Sequence, residues 1–135
     1  MNMKKKILIA EDDLDIAFTL NMILDNAGYE VAVTSSGKYI LDSHYDYPDL
    51  FILDKRMPDI DGLEVCRQLR NRQECKNIPV IIISASPKFG PLAMNAGAND
   101  FIEKPFQMND LLQMVEKYVN GDQKNNLWLI NWVCL

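Results

Sequence analysis

Four short apolar runs of this chain each end in a polar residue that phosphoryl chemistry would use. Ile7-Leu8-Ile9-Ala10 leads into Glu11-Asp12-Asp13, Leu50-Phe51-Ile52-Leu53 into Asp54, Val80-Ile81-Ile82-Ile83 into Ser84, and Asp100-Phe101-Ile102 into Glu103-Lys104-Pro105. Runs this short and this apolar read as buried strands. In an open parallel sheet the carboxyl ends of the strands meet along one edge, where ligands bind. Glu11, Asp12, Asp54, Ser84 and Lys104 would then face one cleft. That set suits a divalent cation, a phosphoryl group and a carboxylate that accepts it.

Asp54 follows four apolar residues and precedes Lys55-Arg56-Met57-Pro58. A carboxylate fixed at a strand end cannot relax deeply into water, which preorganises it as a nucleophile, and aspartyl phosphate is established chemistry for this side chain. Taken alone, an Asp here equally reads as the cap of a turn. Glu11 and Asp12 alter that balance, because three carboxylates in one cleft repel one another unless a cation neutralises them. Magnesium suits the role: it is a hard ion that takes oxygen ligands and binds phosphate oxygens beside one or two carboxylates. It would also put positive charge between two anions that must meet. The alternative for Glu11 and Asp12 is a pair of acids complementing the dipole of the next helix, a role that suits Asp13 better than metal ligation does. A serine hydroxyl can donate to a phosphoryl oxygen, and a lysine can pair with one as a point charge. Ser84 alone reads as a loop starter and Lys104 alone as a solvated charge; together with the acids they form a constellation.

The elements that must position these side chains follow from periodicity. Strands are expected over Lys6 to Ala10, Tyr29 to Thr34, Leu50 to Leu53, Ile78 to Ile83 (the most apolar, hence expected at the centre) and Phe101-Ile102. Between them, Leu14 to Leu24 repeats at helical spacing and Gly28 supplies a left-handed cap. A short helix is expected from Lys38 to about Ser43, ended before Pro48, and another from Leu63 to Arg72. Pro87, Gly90 and Pro91 leave only Leu92 to Ala96 for a fourth, and the last runs through Leu111, Val115 and Val119 with Asn109 or Asp110 as its cap. Strands alternating with helices require parallel pairing and helices on both faces, an α/β doubly wound sheet.

With 135 residues the chain has room for one domain and little more. A net charge of −5 argues against a nucleic-acid surface. Cys66, Cys75 and Cys134 are too few and too widely spaced for a disulfide framework or a zinc site, and Cys66 falls on an apolar helical stripe as core. The expectation is a reduced, cytoplasmic protein without a secretory leader or membrane span.

The motif set resembles response-regulator receiver domains. It comprises Glu11-Asp12, Leu53-Asp54 with Met57-Pro58 and Asp61-Gly62, Ser84-Ala85, and Lys104-Pro105-Phe106, and the resemblance covers about residues 4 to 120. It implies a five-stranded flavodoxin-like (βα)5 sheet in strand order 2-1-3-4-5. It implies that Asp54 is the phosphoacceptor, supplied by a phosphohistidine on a sensor kinase or phosphotransfer protein. Glu11, Asp12 and Asp54 would hold magnesium together with the backbone carbonyl of Arg56. Ser84 matches the switch hydroxyl, Lys104 the phosphoryl-binding lysine with a cis bond to Pro105, and Phe101 the switch aromatic. Arg56 and Ser86 match positions that tune the rate of dephosphorylation. Such a protein is no conventional enzyme; it catalyses its own phosphotransfer and dephosphorylation. Output would pass through the surface of the fourth helix, fifth strand and fifth helix to a protein partner, with a homodimer possible. One departure stands out: Ser84 and Lys104 are about two residues closer than the family pattern, so the fourth helix must be short, displaced or partly loop.

Residues 1–120 are thus expected to form the receiver domain. Residues 121–135 leave no room for a DNA-binding module, so output would go to another protein, or to a neighbouring domain if the chain is a fragment. Leu127 to Leu135 is strongly apolar and too short to span a bilayer. It reads either as a tail folded on its own domain or a truncation oddity, or as a docking or swapped segment. Three rivals are weaker. A haloacid-dehalogenase-like phosphatase wants a second acid where Arg56 stands. A flavin module would need a phosphate-cradling loop where Glu11 and Asp12 repel phosphate. A pseudo-receiver working without phosphorylation is disfavoured by the complete residue set.

Overall fold

The chain alternates strand and helix five times in a computed structural model that describes residues 3–42 and 44–120. The strands β1 (Lys6–Ala10), β2 (Glu30–Thr34), β3 (Leu50–Asp54), β4 (Val80–Ser84) and β5 (Asp100–Glu103) form one parallel sheet in the order β2-β1-β3-β4-β5. Parallel neighbours need crossovers, and these are α1 (Leu14–Asn26), α2 (Gly37–Asp42), α3 (Gly62–Arg70) and α4 (Phe89–Asn95), with α5 (Met108–Val119) closing the chain. This is the flavodoxin-like (βα)5 sheet and the strand order implied by the sequence.

Alternation along each strand sends side chains to two separate cores. Ile7, Ile9 and Ile52 pack with Leu20 and Leu24 of α1 and Leu111 and Val115 of α5. Leu8, Phe51 and Leu53 pack on the opposite face with residues of α2, α3 and α4. Every residue of β3 and β4 is buried, which explains their unbroken apolar sequence: both faces are covered. Each large aliphatic side chain so buried stabilises the fold by roughly 1.5–3 kcal/mol. Cys66 and Cys75 are both buried free thiols in the second core.

Several expectations are corrected. β3, not the more apolar β4, occupies the centre of the sheet. α1 forms where the helical spacing put it; within it Ala17, Leu20 and Leu24 are buried, whereas Leu14, Phe18 and Met22 are 80%, 68% and 48% exposed and form an outward stripe. α4 begins at Phe89 rather than Leu92, because Pro91 falls in the first turn, where a missing N–H costs no helical hydrogen bond. α5 begins at Met108; its N-cap is Gln107 with no side-chain bond, and Asp110 lies inside the first turn rather than capping it. β4 starts at Val80, α3 stops at Arg70, and α2 spans Gly37–Asp42, with Ser43 outside the described residues. The tail after Asn120 and Cys134 also lie outside them.

Gly28, at φ 100°, ends α1 as expected. Its N–H donates to the Asp25 carbonyl (3.0 Å) and that of Tyr29 to the Leu24 carbonyl (3.1 Å), a Schellman closure. Gly97, at φ 98°, ends α4 in the same way, through Met94 and Ala93.

Candidate functional site

Strand register sets the level of each polar strand end. Ala10 pairs with Leu53, Asp54 with Ile83, and Ser84 with Glu103. Glu11 therefore emerges level with Asp54, while Ser84 and Lys104 follow in steps on the other side. Backbone bonds continue past the strand ends and fix these positions: Glu11 N to Thr34 O (2.9 Å), Lys55 N to Ile83 O (2.8 Å) and Lys104 N to Ser84 O (2.9 Å). Gly62 tightens the arrangement further. A Cβ there would lie 2.2 Å from the Asp54 carbonyl oxygen, so only glycine lets α3 begin directly against this strand end.

The structure brings Glu11, Asp12, Asp54, Ser84 and Lys104 to one cleft of about 470 Å3, together with Arg56 and Ser86. Glu11, Asp54 and Ser84 are the buried polar side chains of the described residues, at 1%, 4% and 6% exposure. Lys104 reaches both acids, with Nζ 3.2 Å from Asp54 Oδ1 and 3.0 Å from Glu11 Oε1. Only the first contact has hydrogen-bond geometry. Glu11 Oε1 is the one buried side-chain oxygen among the described residues without a hydrogen-bond partner. Its other oxygen accepts from Asp13 N at 3.1 Å.

The electrostatics follow from this crowding. Burial, and the Asp54 carboxyl against it, raise the pKa of Glu11 from 4.5 to about 7, although Lys104 and the Asp13 amide pull it down. Burial lowers the pKa of Lys104, but its ion pair with Glu11 and the field of Asp54 outweigh burial and leave it raised. One lysine does not satisfy two buried carboxylates. Oxygens of Glu11, Asp12 and Asp54 all lie within 4.8 Å of one another. An orphaned buried oxygen within a set of hard carboxylate donors, one of them solvent-facing, fits a divalent cation of the magnesium type.

The remaining sequence-predicted residues stand as follows. Asp13 takes the capping role: its Oδ1 accepts from Asp15 N (2.9 Å) and Ile16 N (3.1 Å). The Arg56 amide lies 3.4 Å from Asp54 Oδ1, and its side chain is exposed. Ser84 Oγ accepts from Ser86 N at 3.2 Å. The Lys104–Pro105 bond is cis. Phe101 is outside the cleft, partly buried against the α2–α3–α4 core and beside Gly90.

Sequence reasoning missed three contributors. Lys55 and Phe89 line the same cleft. Lys55 was legible only as a neighbour of Asp54, and Phe89 lies in a stretch whose prolines and glycine suggested a break. Asp59, from the loop after β3, accepts from Ser36 Oγ (2.6 Å), Gly37 N (3.0 Å) and Lys38 N (3.0 Å), and so caps α2 from a distant part of the chain. Those bonds hold its pKa well below the usual carboxylate range, the Ser36 hydroxyl contributing most.

Comparison with known proteins bears on the same region. The family model described as "Response regulator receiver domain" matches residues 7–116. Among curated relatives, response regulator ArlR of Staphylococcus epidermidis is 35% identical over 132 residues, 96% of this chain and 59% of that protein. The chain spans about half to three-fifths of the length of the curated relatives it matches. The crystal structure of a putative response regulator from Chloroflexus aurantiacus superposes with a TM-score of 0.83 at 32% identity, covering 87% of this chain and 98% of that one. A receiver domain of a sensor histidine kinase from Pseudomonas aeruginosa superposes at 0.79 and 24% identity, over 87% and 99% of the two chains; that structure has a magnesium ion coordinated in its active-site cleft. At that identity the likeness is one of fold.

Proposed function

This chain belongs to the response regulator receiver domain family of two-component signalling, and from that premise we propose that Asp54 is a phosphoacceptor whose modification switches a protein-binding surface. One observation carries the reading. Asp54 stands buried between a lysine and an acid whose Oε1 lacks a hydrogen-bond partner, at the edge where four strand ends converge. That arrangement holds a nucleophile in place and provides for a cation and a phosphoryl group.

Glu11, Asp12, Asp54 and the Arg56 carbonyl are assigned to hold magnesium, which when bound supplies positive charge between the two anions and stabilises charge developing in transfer. The residues do the rest. The Asp54 carboxylate attacks phosphorus, and the bond to the donor, a phosphohistidine of a sensor kinase or phosphotransfer protein, breaks as the new P–O bond forms. The Lys104 ammonium pairs with a phosphoryl oxygen. The Ser84 hydroxyl turns to donate to another, since a hydroxyl can serve as donor or acceptor. The modified aspartate carries about two negative charges, by analogy with other phosphorylated side chains. Ser84 and Lys104 move toward it, Phe101 moves into the space vacated, and the α4–β5–α5 surface is presented differently to a downstream protein or a second copy. The receiver unit is assigned to residues 1–120 and to the cytoplasm, where a kinase donor would act. Among the described residues no helix is long and apolar enough to cross a membrane.

The test is intact mass after incubation with a small phosphodonor and magnesium. One added phosphoryl group, absent in Asp54→Asn, is the expected result. No gain would favour a pseudo-receiver that binds partners unmodified, and turnover of a phosphate ester would favour a phosphatase.

A further inference from the structure

Lys55, the residue after Asp54, is held at four points. Its N–H donates to the Ile83 carbonyl (2.8 Å) and its carbonyl accepts from Gly62 N (2.9 Å). Its ammonium lies 2.6 Å from Asp61 Oδ2 and 4.2 Å from the centroid of the Phe89 ring. Asp61 is itself fixed, because its Oδ1 accepts from Leu63 N at 2.8 Å as the N-cap of α3. A cation over an aromatic face is attracted by the ring quadrupole, more strongly where water is excluded, and the Lys55 side chain is only 22% exposed. A second cation, Lys88, lies 5.2 Å from the same ring.

Phe89 is the first residue of α4, reached from Ser84 by the short connection Ala85–Lys88. The ring forms part of the cleft that holds Asp54, Ser84 and Lys104. It offers water no strong hydrogen bond. The aromatic ring is therefore an apolar wall, pinned by Lys55, on a cleft that, Ile16 and Ala85 apart, is lined by charged and polar residues.

We propose that Phe89, held by Lys55, limits the access of hydrolytic water to a phosphoryl group on Asp54 and so sets how long that group survives. This rests on the phosphoacceptor reading above. In the step concerned, the oxygen of water bonds to phosphorus and the bond between phosphorus and the Asp54 oxygen breaks. Asp54 regains its carboxylate, and inorganic phosphate leaves with both hydrogens of the water. Phe89 and Lys55 are positioning residues in this step, since neither is assigned a contact with the reacting atoms.

The test charges the whole chain with a small phosphodonor and magnesium, removes the donor, and follows loss of the added mass with time. Phe89→Ala is expected to take up the phosphoryl group and lose it about fivefold faster, a barrier change of about 1 kcal/mol. Phe89→Leu, which keeps apolar bulk without a ring, and Lys55→Met are expected to fall between it and the parent. A second readout needs no metal or donor: the ε-methylene protons of Lys55 should resonate upfield in the ring current of Phe89 and return downfield in Phe89→Leu. Equal lifetimes in all variants, with the parent phosphorylated, overturn the wall while leaving the phosphoacceptor reading intact. No mass gain in the parent overturns that reading instead, and the wall with it. Should Phe89→Ala not fold, Phe89→Leu and Lys55→Met decide.

Discussion

The two edges of the sheet treat polar groups in opposite ways. At the carboxyl edge, Glu11 and Asp54 are buried against each other, share one lysine and leave Glu11 Oε1 without a hydrogen bond. At the amino edge, Arg70 reaches from α3 and donates to Gly97 O (2.7 Å), Ile78 O (2.7 Å) and Asn99 Oδ1 (2.7 Å). Asn99 Oδ1 also accepts from Val80 N (3.0 Å), and its carbonyl accepts from the Tyr118 hydroxyl (3.0 Å). The bonds at the amino edge tie α3, α4, β5 and α5 together. The carboxyl edge keeps like charges crowded in the absence of a cation. Stability and chemistry are thus separated to opposite ends of the same strands, which lets a binding event alter one end while the other holds the fold.

Breaking the amino edge should have the largest effect. Arg70→Ala removes donors from the carbonyls of Gly97, Ile78 and Cys75 and from Asn99 together. Hydrogen bonds to a charged donor contribute roughly 1.5–3 kcal/mol each but not additively. A loss of about 3 kcal/mol in denaturant titrations is expected, a large share of the roughly 5–15 kcal/mol typical of a domain. Phosphoryl uptake under native conditions should survive. If Arg70→Ala left stability unchanged, or abolished uptake while the protein stayed folded, the division between the edges would fail.

The carboxyl edge predicts the opposite sign. Glu11 has a folded pKa of about 7 against 4.5 as its ordinary value, so the folded state holds more protons across that window. The stability this group contributes is complete below pH 4.5 and is lost as pH rises through about 7. In metal-free protein, Glu11→Gln should match the parent at acid pH and exceed it above neutrality, by on the order of 2 kcal/mol. The raised pKa of Lys104 acts only at much higher pH and does not confuse the comparison. Magnesium should stabilise the parent and leave Glu11→Gln nearly unmoved. Thermal melts of both proteins with and without magnesium between pH 4 and 8 check each part; a parent that gained stability over Glu11→Gln as pH rose would refute the crowding account.

This contrast also explains what the sequence disclosed. The carboxyl edge was legible because Glu11, Asp12, Asp54, Ser84 and Lys104 each follow an apolar run directly or one residue later, so strand position and chemistry are read from the same few letters. The amino edge was not, since Arg70 meets Gly97 and Asn99 across 27 and 29 positions, with no local pattern to announce it. Asp59, which caps α2 from 21 to 23 positions away, escaped for the same reason. Periodicity located α1 but not its buried face: Leu14, Phe18 and Met22 repeat every fourth residue as a core stripe would, yet lie outward. A helix can carry two apolar stripes, and spacing alone does not say which one the sheet covers. The start of α4 was missed because two prolines and a glycine read as a break, although a first turn tolerates proline.

The smallest effect sharpens the comparison most. The single Tyr118 O–H is shared between the Asn99 carbonyl and Asp100 Oδ2, which lies at 2.9 Å; burial, and then the bond to Asp100, push its pKa up to about 12, so the phenol stays protonated and donating at neutral pH. Tyr118→Phe removes these bonds and keeps the ring, at an expected cost of about 1 kcal/mol. Asn99 is the shared partner, since its side chain meets Arg70 and its carbonyl meets Tyr118. Contacts joined through one residue do not add, so the double variant Arg70→Ala/Tyr118→Phe should lose less than the two single losses combined, by about 0.5 kcal/mol or more. Paired instead with Glu11→Gln at the far edge, Tyr118→Phe should add within about 0.5 kcal/mol. Coupling within one edge and additivity between the edges would establish that the two ends are energetically separate; strong coupling of Tyr118 to Glu11 would show that the amino edge already feels the charge state of the cleft.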